Sequence, residues 1–588
     1  MMRRAPRCLA FCAALAVLLA ACNPPIVAVP TPSLTPAPTV AAPTPAPSPT
    51  PAQAAVSGGA LRVAVAEQPP ETSRMDPHEE PTPAIQAVVG PLYSGLVQFD
   101  PNSSGRRIIG DLATDWRLVD DRTFEFSIRK DATFHNGQQV TSVDVLYSIE
   151  GVRLPPRDAT RPRRELYTSI ENIVAPDRFT LRIVMRQPDA GILSALASGT
   201  LVVRPQFDGL EETWRAPDPV GSGPFVFTGY STSGQARYPR YKDYFLKGKP
   251  YLDYYELFTI SDATTRIAGL RAGLLDVVLG PLSGQRVRSL REARPDLVFH
   301  RAQDTVFGHD VVVNTTRSPF NDLRVRKALR LALDDEAAYA AQESSCRPYI
   351  GSPGGLSPWA LPQNEMAKRP EAGGDHIQRL AEARKLVADA GLSGGLTATV
   401  LPRKEEGGVS DPDARIVDAW AKLLAKGIND IGGKAEVQEL ESPQGAGTAP
   451  KQFQERLLSL QYDIAVYPVP YVGYPDPNGL PPVWRSGGPR NYANYADPEL
   501  DRLLAEQART LDWARRLPLV YAAQQRILDS YAAFYLPRPT ACESGGADAA
   551  SQPWVKGFKQ DWAGAPLDNM RFQQVWIDPV VKGNFKRP

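Results

Sequence analysis

"DLATDWRLVDDRTFEFSIRKDATFHNGQQVTSVDVLYSIE", residues 111–150, is the stretch whose reading decides the fold class of this chain. Within it, "RTFEFSIRK" (122–130) alternates apolar and polar side chains, the period of a strand with one buried face. Asn136-Gly137 marks a turn. Thr141 or Ser142 then stands where a helix N-cap belongs, and Asp144 follows near the positive end of the helix dipole. "DVLYSIEGVR" (144–153) reads as the helix itself. Strand, turn, cap and helix in close succession predict a mixed α/β chain.

The same alternation of elements runs outward in both directions. "ALRVAVA" (60–66) and "RFTLRIVM" (178–185) read as strands, and "DATTRIAGLRAGLLDVVLG" (262–280) as a helix running into a strand that begins near Asp276. In "SPFNDLRVRKAL", Asn321 or Asp322 caps another helix. "HIQRLAEARKLVADAG" sets Ile377, Leu380, Ala381 and Val387 at helical spacing and stops at Gly391. "ARIVDAWAKLLAKGINDIGG" repeats the arrangement with Ile416, Trp420, Leu423, Leu424 and Ile428, and "PELDRLLAEQARTL" and "WARRLPLVYAAQQRILDSY" add further helices.

A chain of 588 residues exceeds what one core can organise, so two or three domains are expected. An apolar fraction of 43% and a charged fraction of 22% fit a globular protein. Net charge is +1, and loss of Arg3, Arg4 and Arg7 with a cleaved leader would bring it to −2, with no dense basic face; nucleic acid is not an expected partner.

That leader is "MMRRAPR" followed by the apolar "CLAFCAALAVLLAAC", too short to span a bilayer comfortably. It ends Leu19-Ala20-Ala21-Cys22, which resembles the bacterial lipobox and implies cleavage before an acylated Cys22. Several acyl chains there would anchor the protein stably, where one would be marginal. Eleven prolines between Pro24 and Pro51 follow, without charge or aromatic residues. They predict an extended tether of roughly 100 Å at about 3.1 Å per residue. Only Cys346 and Cys542 remain beyond it, as one disulfide or as two separate thiols in an oxidising compartment.

From about residue 60 onward the chain resembles the family 5 extracellular solute-binding proteins of ABC importers, the oligopeptide, dipeptide and nickel-binding group. The resemblance rests on residues 111–150, on "PVGSGPFVF" (219–227) with "KGKPYLDYYEL" (247–257), and on "VVVNTTRSPFNDLRVRKALRLALD" (311–334). "YPDPNGL", "NYANYADPELDRLLAEQ" and "VKGF" (555–558) complete the family's order. It implies an α/β, two-lobed periplasmic-binding-protein-like fold of the large type II cluster, with a hinge between the lobes and an extra subdomain. The expected organisation is a signal peptide at 1–21 and the lipidated Cys22 with its tether at 22–57. Lobe I is expected at 58–98, 219–312 and 546–588, its extra subdomain at 99–218, and lobe II at 313–545.

The resemblance also implies where ligand contacts lie. "EPTPA" (80–84) aligns with a ligand-contacting loop of the first lobe, giving Thr82 and Pro83. "YDIAVYPVPYVGYPDPNGL" (462–480) covers a cleft-lining strand and loop of the second, giving Tyr467, Tyr471, Gly473 and Tyr474, with Trp359 and Trp484 as further candidates in Pro/Gly-rich loops. Peptide-binding relatives typically carry an Asp at the position of Gly473, where it pairs with the peptide ammonium. Its absence disfavours a buried ammonium and shifts the expectation toward neutral or aromatic-stacking ligands, oligosaccharides included.

Enzyme readings fail on context. "GLSGG" (391–395) matches a nucleophile elbow literally, but a helix runs into Gly391 and leaves Ser393 in a helix-ending loop. His78, His135, His300, His309 and His376 form no ligand pair, so no metal is expected, and no cofactor or Walker A motif is visible. The expectation is a monomeric, non-enzymatic substrate-binding lipoprotein. It would lie on the outer face of the cytoplasmic membrane or face the periplasm, passing a peptide or oligosaccharide to permease and ATPase subunits. An oligosaccharide-binding member of the family, or a non-transport sensor or chaperone lipoprotein, is the alternative.

Overall fold

The computed structural model describes residues 54–66, 78, 87–100, 107–154, 164–198, 219–231, 235–282, 284–300, 308–342, 348–355, 357–372, 375–403, 412–438, 440, 448–470, 476–539, 547–558 and 572–585. Residues 55–588 form one unit, and it is built around two separate sheets.

The first sheet runs, edge to edge, Val298–His300, Ala547–Ser551, Val277–Leu282, Ala60–Val65, Tyr254–Thr259 and Gln235–Pro239. Ala60–Val65 sits parallel to both of its neighbours. Consecutive Val63 and Ala64 are both fully buried, because a central strand covered on both faces needs apolar residues at every position. One face, which carries Leu257 and Tyr238, packs on Phe225 and Trp554, and the other packs on Leu270, Val287 and Leu290.

The second sheet orders Lys434–Val437, Thr397–Pro402, Ile464–Pro470, Gly308–Val313 and Ala533–Phe534. Helix Pro412–Asp430 covers one face, with Trp420 donating its indole N–H to the carbonyl of Ala338 at 2.8 Å. Among the described residues the chain passes from the first sheet to the second between His300 and Gly308, and returns between Pro539 and Ala547. Residues 308–312, assigned by sequence to the first lobe, pair in the second sheet, because Gly308–Val313 lies against both Ile464–Pro470 and Ala533–Phe534.

A third sheet, Ala113–Asp120, Thr123–Ile128, Thr180–Met185 and Ile170–Asp177, is antiparallel throughout. Phe124, Phe126 and Ile128 alternate inward with Leu181, Ile183 and Met185, against helices Ser142–Arg153 and Ile192–Ala197. The stretch at 111–150 therefore folds as its pattern predicts. Thr141, not Ser142, is the N-cap; its backbone N–H donates to the Asp144 carboxylate at 2.8 Å in a capping box. Gly137 takes φ +85°, a left-handed turn position that glycine adopts without steric penalty.

Elsewhere Asp322 caps helix Leu323–Ala332, accepting from the N–H of Arg324 at 2.8 Å. Helix His376–Asp389 ends before Gly391 at φ +79°. Two residues on its expected apolar face, Ile377 and Ala381, depart from the reading. Ile377 is 70% exposed and Ala381 is exposed as well, while Val387, as expected, and Ala383 carry the buried contacts.

Candidate functional site

The motif "PDPNG", which follows strand Ile464–Pro470 of the second sheet, supplies a buried polar arrangement. Asp476 is the N-cap of the short turn Pro477–Gly479, accepting the N–H of Asn478 at 2.9 Å. Its carboxylate is 1% exposed, so it needs donors from elsewhere. Arg516 supplies two, at 2.8 and 3.3 Å, and the hydroxyl of Ser194 supplies another at 2.9 Å. These bonds, with the Asn478 N–H, occupy the acceptor sites of a carboxylate. Asp476 therefore has no capacity left for a ligand cation.

Arg516 is equally committed. Its guanidinium also donates to Asn478 Oδ1 at 3.0 Å, Gln507 Oε1 at 3.1 Å and the carbonyl of Ala190 at 3.3 Å, and it lies 4.8 Å from the Trp359 ring centre. Asn478 turns its amide to Asp189 at 2.6 Å, and burial pushes the Asp189 carboxyl above the usual carboxylate range. Asp189, Ala190 and Ser194 lie at or just before helix Ile192–Ala197, which packs on the third sheet, whereas Asp476, Asn478 and Arg516 follow strand Ile464–Pro470 of the second sheet. Glu165 and Arg490 form a further ion pair between the same two regions of the chain, and burial likewise raises the Glu165 carboxyl.

Of the sequence-assigned contacts, Thr82, Pro83, Tyr471, Gly473 and Tyr474 lie outside the described residues, as do Cys22, Cys346 and Cys542. The other three sit in one apolar core rather than on an open surface. Tyr467 is 3% exposed and packs edge-on against His309 at 5.2 Å and Phe453 at 5.3 Å. Trp484 is buried at the end of helix Pro481–Trp484. Trp359 packs between Trp513, 3.6 Å away by ring centres, and Arg516. Neighbouring side chains of that cluster cover all three rings.

Sequence reading treated Asp476 only as part of a turn and missed Asp189, Asn478 and Arg516. A signal for Arg516 existed. It lies on the same helical stripe as Val520, Ala523 and Ile527, all buried, and a cation on an apolar stripe demands a buried anion.

His135 lies against Tyr241 and bonds the carbonyl of Gly223, and burial pushes its pKa down to about 4. No group of three or more His, Cys, Asp or Glu suited to a metal ion occurs among the described residues. Nor, among them, is any helix long and apolar enough to cross a membrane.

Comparison with known proteins agrees with this architecture. The family described as "Bacterial extracellular solute-binding proteins, family 5 Middle" matches residues 107–492. Di/tripeptide-binding protein 2 of Pseudomonas aeruginosa is 30% identical over 277 residues, a match spanning 42% of this chain and half of that protein. Heme-binding protein A of Haemophilus influenzae is 26% identical over 521 residues, covering 83% of this chain and 87% of that one. The solved structure of HbpA2 from Haemophilus parasuis superposes with a TM-score of 0.72 at 20% identity, over 88% of this chain and all of that one. The chain belongs to family 5 of the bacterial extracellular solute-binding proteins.

Proposed function

We propose that this protein is the substrate-binding lipoprotein of an ABC importer, enclosing a small solute between its two lobes and delivering it to a membrane permease. The observation that carries the reading is the pair of separate sheets joined by two chain crossings, the construction that lets two lobes close about a hinge. Lobe I would comprise 58–98, 219–307 and 546–588 with the subdomain 99–218, and lobe II 308–545. The protein would act as a monomer and catalyse nothing itself, with ATP hydrolysis left to partner subunits.

Peptides are the first ligand class to test, since one relative is a di/tripeptide-binding protein. Two features favour ligands without a buried ammonium. Gly473 offers no carboxylate, and the one described acid of the motif, Asp476, is fully engaged by Arg516, Ser194 and Asn478. Tyr471 and Tyr474, with Thr82 and Pro83 opposite, are the proposed contacts, and their rings suit an oligosaccharide as well as a peptide. Thermal shifts against a peptide library and an oligosaccharide library decide the class. Stabilisation only by peptides with free amines would overturn the inference from Gly473, and no stabilisation by either library would overturn the substrate classes named here.

Cys22 would carry the lipid and hold the head at the outer face of the membrane or facing the periplasm. A disulfide between Cys346 and Cys542 is supported by the antiparallel pairing of Pro348 with Pro539 and Tyr349 with Arg538. That ladder ends two residues from Cys346 and three from Cys542. Intact-mass measurement of detergent-extracted, unreduced protein reads both features. An unmodified Cys22 removes the anchor, and two alkylatable thiols remove the disulfide.

A further inference from the structure

The extra subdomain touches both lobes, and the two contacts differ in kind. Toward the first lobe it shares an apolar core: Tyr241, Tyr244 and Phe245 pack in one cluster with Phe126, Ile128 and Phe134. The Arg129 guanidinium lies 4.0 Å over the Phe245 ring, the Tyr241 hydroxyl donates to the carbonyl of Phe134 at 2.7 Å, and the His135 N–H donates to the carbonyl of Gly221 at 2.8 Å. Toward the second lobe the contact is polar. Among the described residues it includes Ser194 to Asp476, Asn478 to Asp189, Arg516 to the carbonyl of Ala190, the Ala190 N–H to the carbonyl of Ala508 at 2.8 Å, and the Glu165–Arg490 pair. Among the described residues, Leu166, only partly buried, packs against both cores.

These two kinds of contact separate at different cost. Parting an aromatic core exposes apolar surface at about 25 cal/mol per Å² with nothing gained in return. Parting hydrogen bonds exchanges each for water at a net cost of only about 0.5–1.5 kcal/mol. The ion pair that organises the second-lobe face, Asp476–Arg516, lies wholly on that lobe and survives separation.

We propose that the extra subdomain moves as one body with the first lobe, and that its polar contact with Asp476, Asn478, Ala508, Arg490 and Arg516 is a latch made only when the lobes are closed. This rests on the reading of the two lobes as a closing clamp. Gly191 marks the point of closest approach. It has φ −91° and ψ −13°, where any residue fits, yet a Cβ there would stand 2.4 Å from Asn478 Nδ2 and 2.9 Å from Asn478 Cβ. Glycine at 191 is thus demanded by the partner lobe and not by its own backbone.

Hydrogen exchange on the ligand-free full chain, read by mass spectrometry at single-amide resolution, tests the latch. The Ala190 amide, which bonds the second lobe, should exchange at least about 100-fold faster, relative to intrinsic rates, than the His135 amide, which bonds the first. Gly191→Ala, harmless to its own segment, should speed Ala190 by a further factor of about ten and leave His135 unchanged. Equal protection of the two amides in the unmodified protein would make the contact permanent and overturn the proposal, as would a Gly191→Ala variant with unaltered Ala190 exchange. The thermal-shift screen is scored separately, so a permanent contact alongside ligand stabilisation would sink the latch and leave the binding function standing.

Discussion

Two buried aspartates, one in each lobe, solve the same electrostatic problem for different ends. Asp276, with no exposed side-chain surface, accepts from the Arg62 backbone N–H and guanidinium at 2.9 Å and from the Trp554 indole at 2.8 Å, with Lys582 at 3.7 Å. All of these partners lie within the first lobe, although they come from chain segments hundreds of residues apart. The node ties together a lobe that the sequence delivers in pieces. Asp476 instead draws its donors from the second lobe and from the extra subdomain. The same chemistry therefore closes a discontinuous lobe in one place and faces a boundary between bodies in the other.

Exposure of the partner arginine sets the order of the expected effects. Arg516 is 3% exposed and cannot turn to water, so Arg516→Met leaves Asp476 as an uncompensated buried charge. That variant should lose about 3–5 kcal/mol from the urea transition of the second lobe, followed by tryptophan fluorescence. Adding Asp476→Leu should recover most of the loss, because two apolar side chains replace a buried pair at little cost. A single variant with an unchanged midpoint would mean that the pair is not holding the lobe.

Asp276→Asn should be milder. Arg62 keeps 21% of its side chain exposed and can rehydrate. About 2 kcal/mol is expected, from weakened charge-assisted bonds to the guanidinium. It should fall on the first-lobe transition, with Ala190 exchange unmoved. Faster exchange at Ala190 in this variant would erase the distinction between the two nodes, since it would show the first lobe's internal tie controlling the boundary.

What the sequence made legible follows the same division between local and distant. The strand at 123–128, the cap at Thr141, the cap at Asp322 and the stop at Gly391 each depend on residues within four or five positions, and each stands where its pattern puts it. Helical periodicity found His376–Asp389 but misassigned Ile377 and Ala381, because spacing defines a stripe without saying how far the neighbouring core extends along it. The candidate aromatics were ambiguous for a related reason. A tyrosine or tryptophan beside Pro and Gly looks the same whether its ring lines a cleft or, as with Tyr467, Trp359 and Trp484, fills a core. The contact of Asn478 with Asp189 bridges 289 residues and leaves no local mark. Only Arg516 announced itself, as a cation on an otherwise apolar helical stripe.

The capping box offers the smallest effect and the sharpest control on the comparison. In Thr141→Ala the backbone N–H still reaches Asp144, but the hydroxyl bond to that carboxylate at 2.7 Å is lost, as is the side-chain acceptor for the helix N-terminus. About 1 kcal/mol of local stability should go, read as faster exchange of the first-turn amides of helix Ser142–Arg153. The subdomain's link to the lobe boundary lies at the other end of that helix, where Arg164 donates to the carbonyl of Arg153. Twelve residues at about 1.5 Å each put some 18 Å between the cap and that end. If the subdomain is a rigid body on the first lobe, a fault at the cap stays local, and both His135 and Ala190 keep their exchange rates. Acceleration at Ala190 alone would instead show the subdomain deforming internally to release the second lobe, and the boundary would then open by local unfolding and not by the parting of two intact faces.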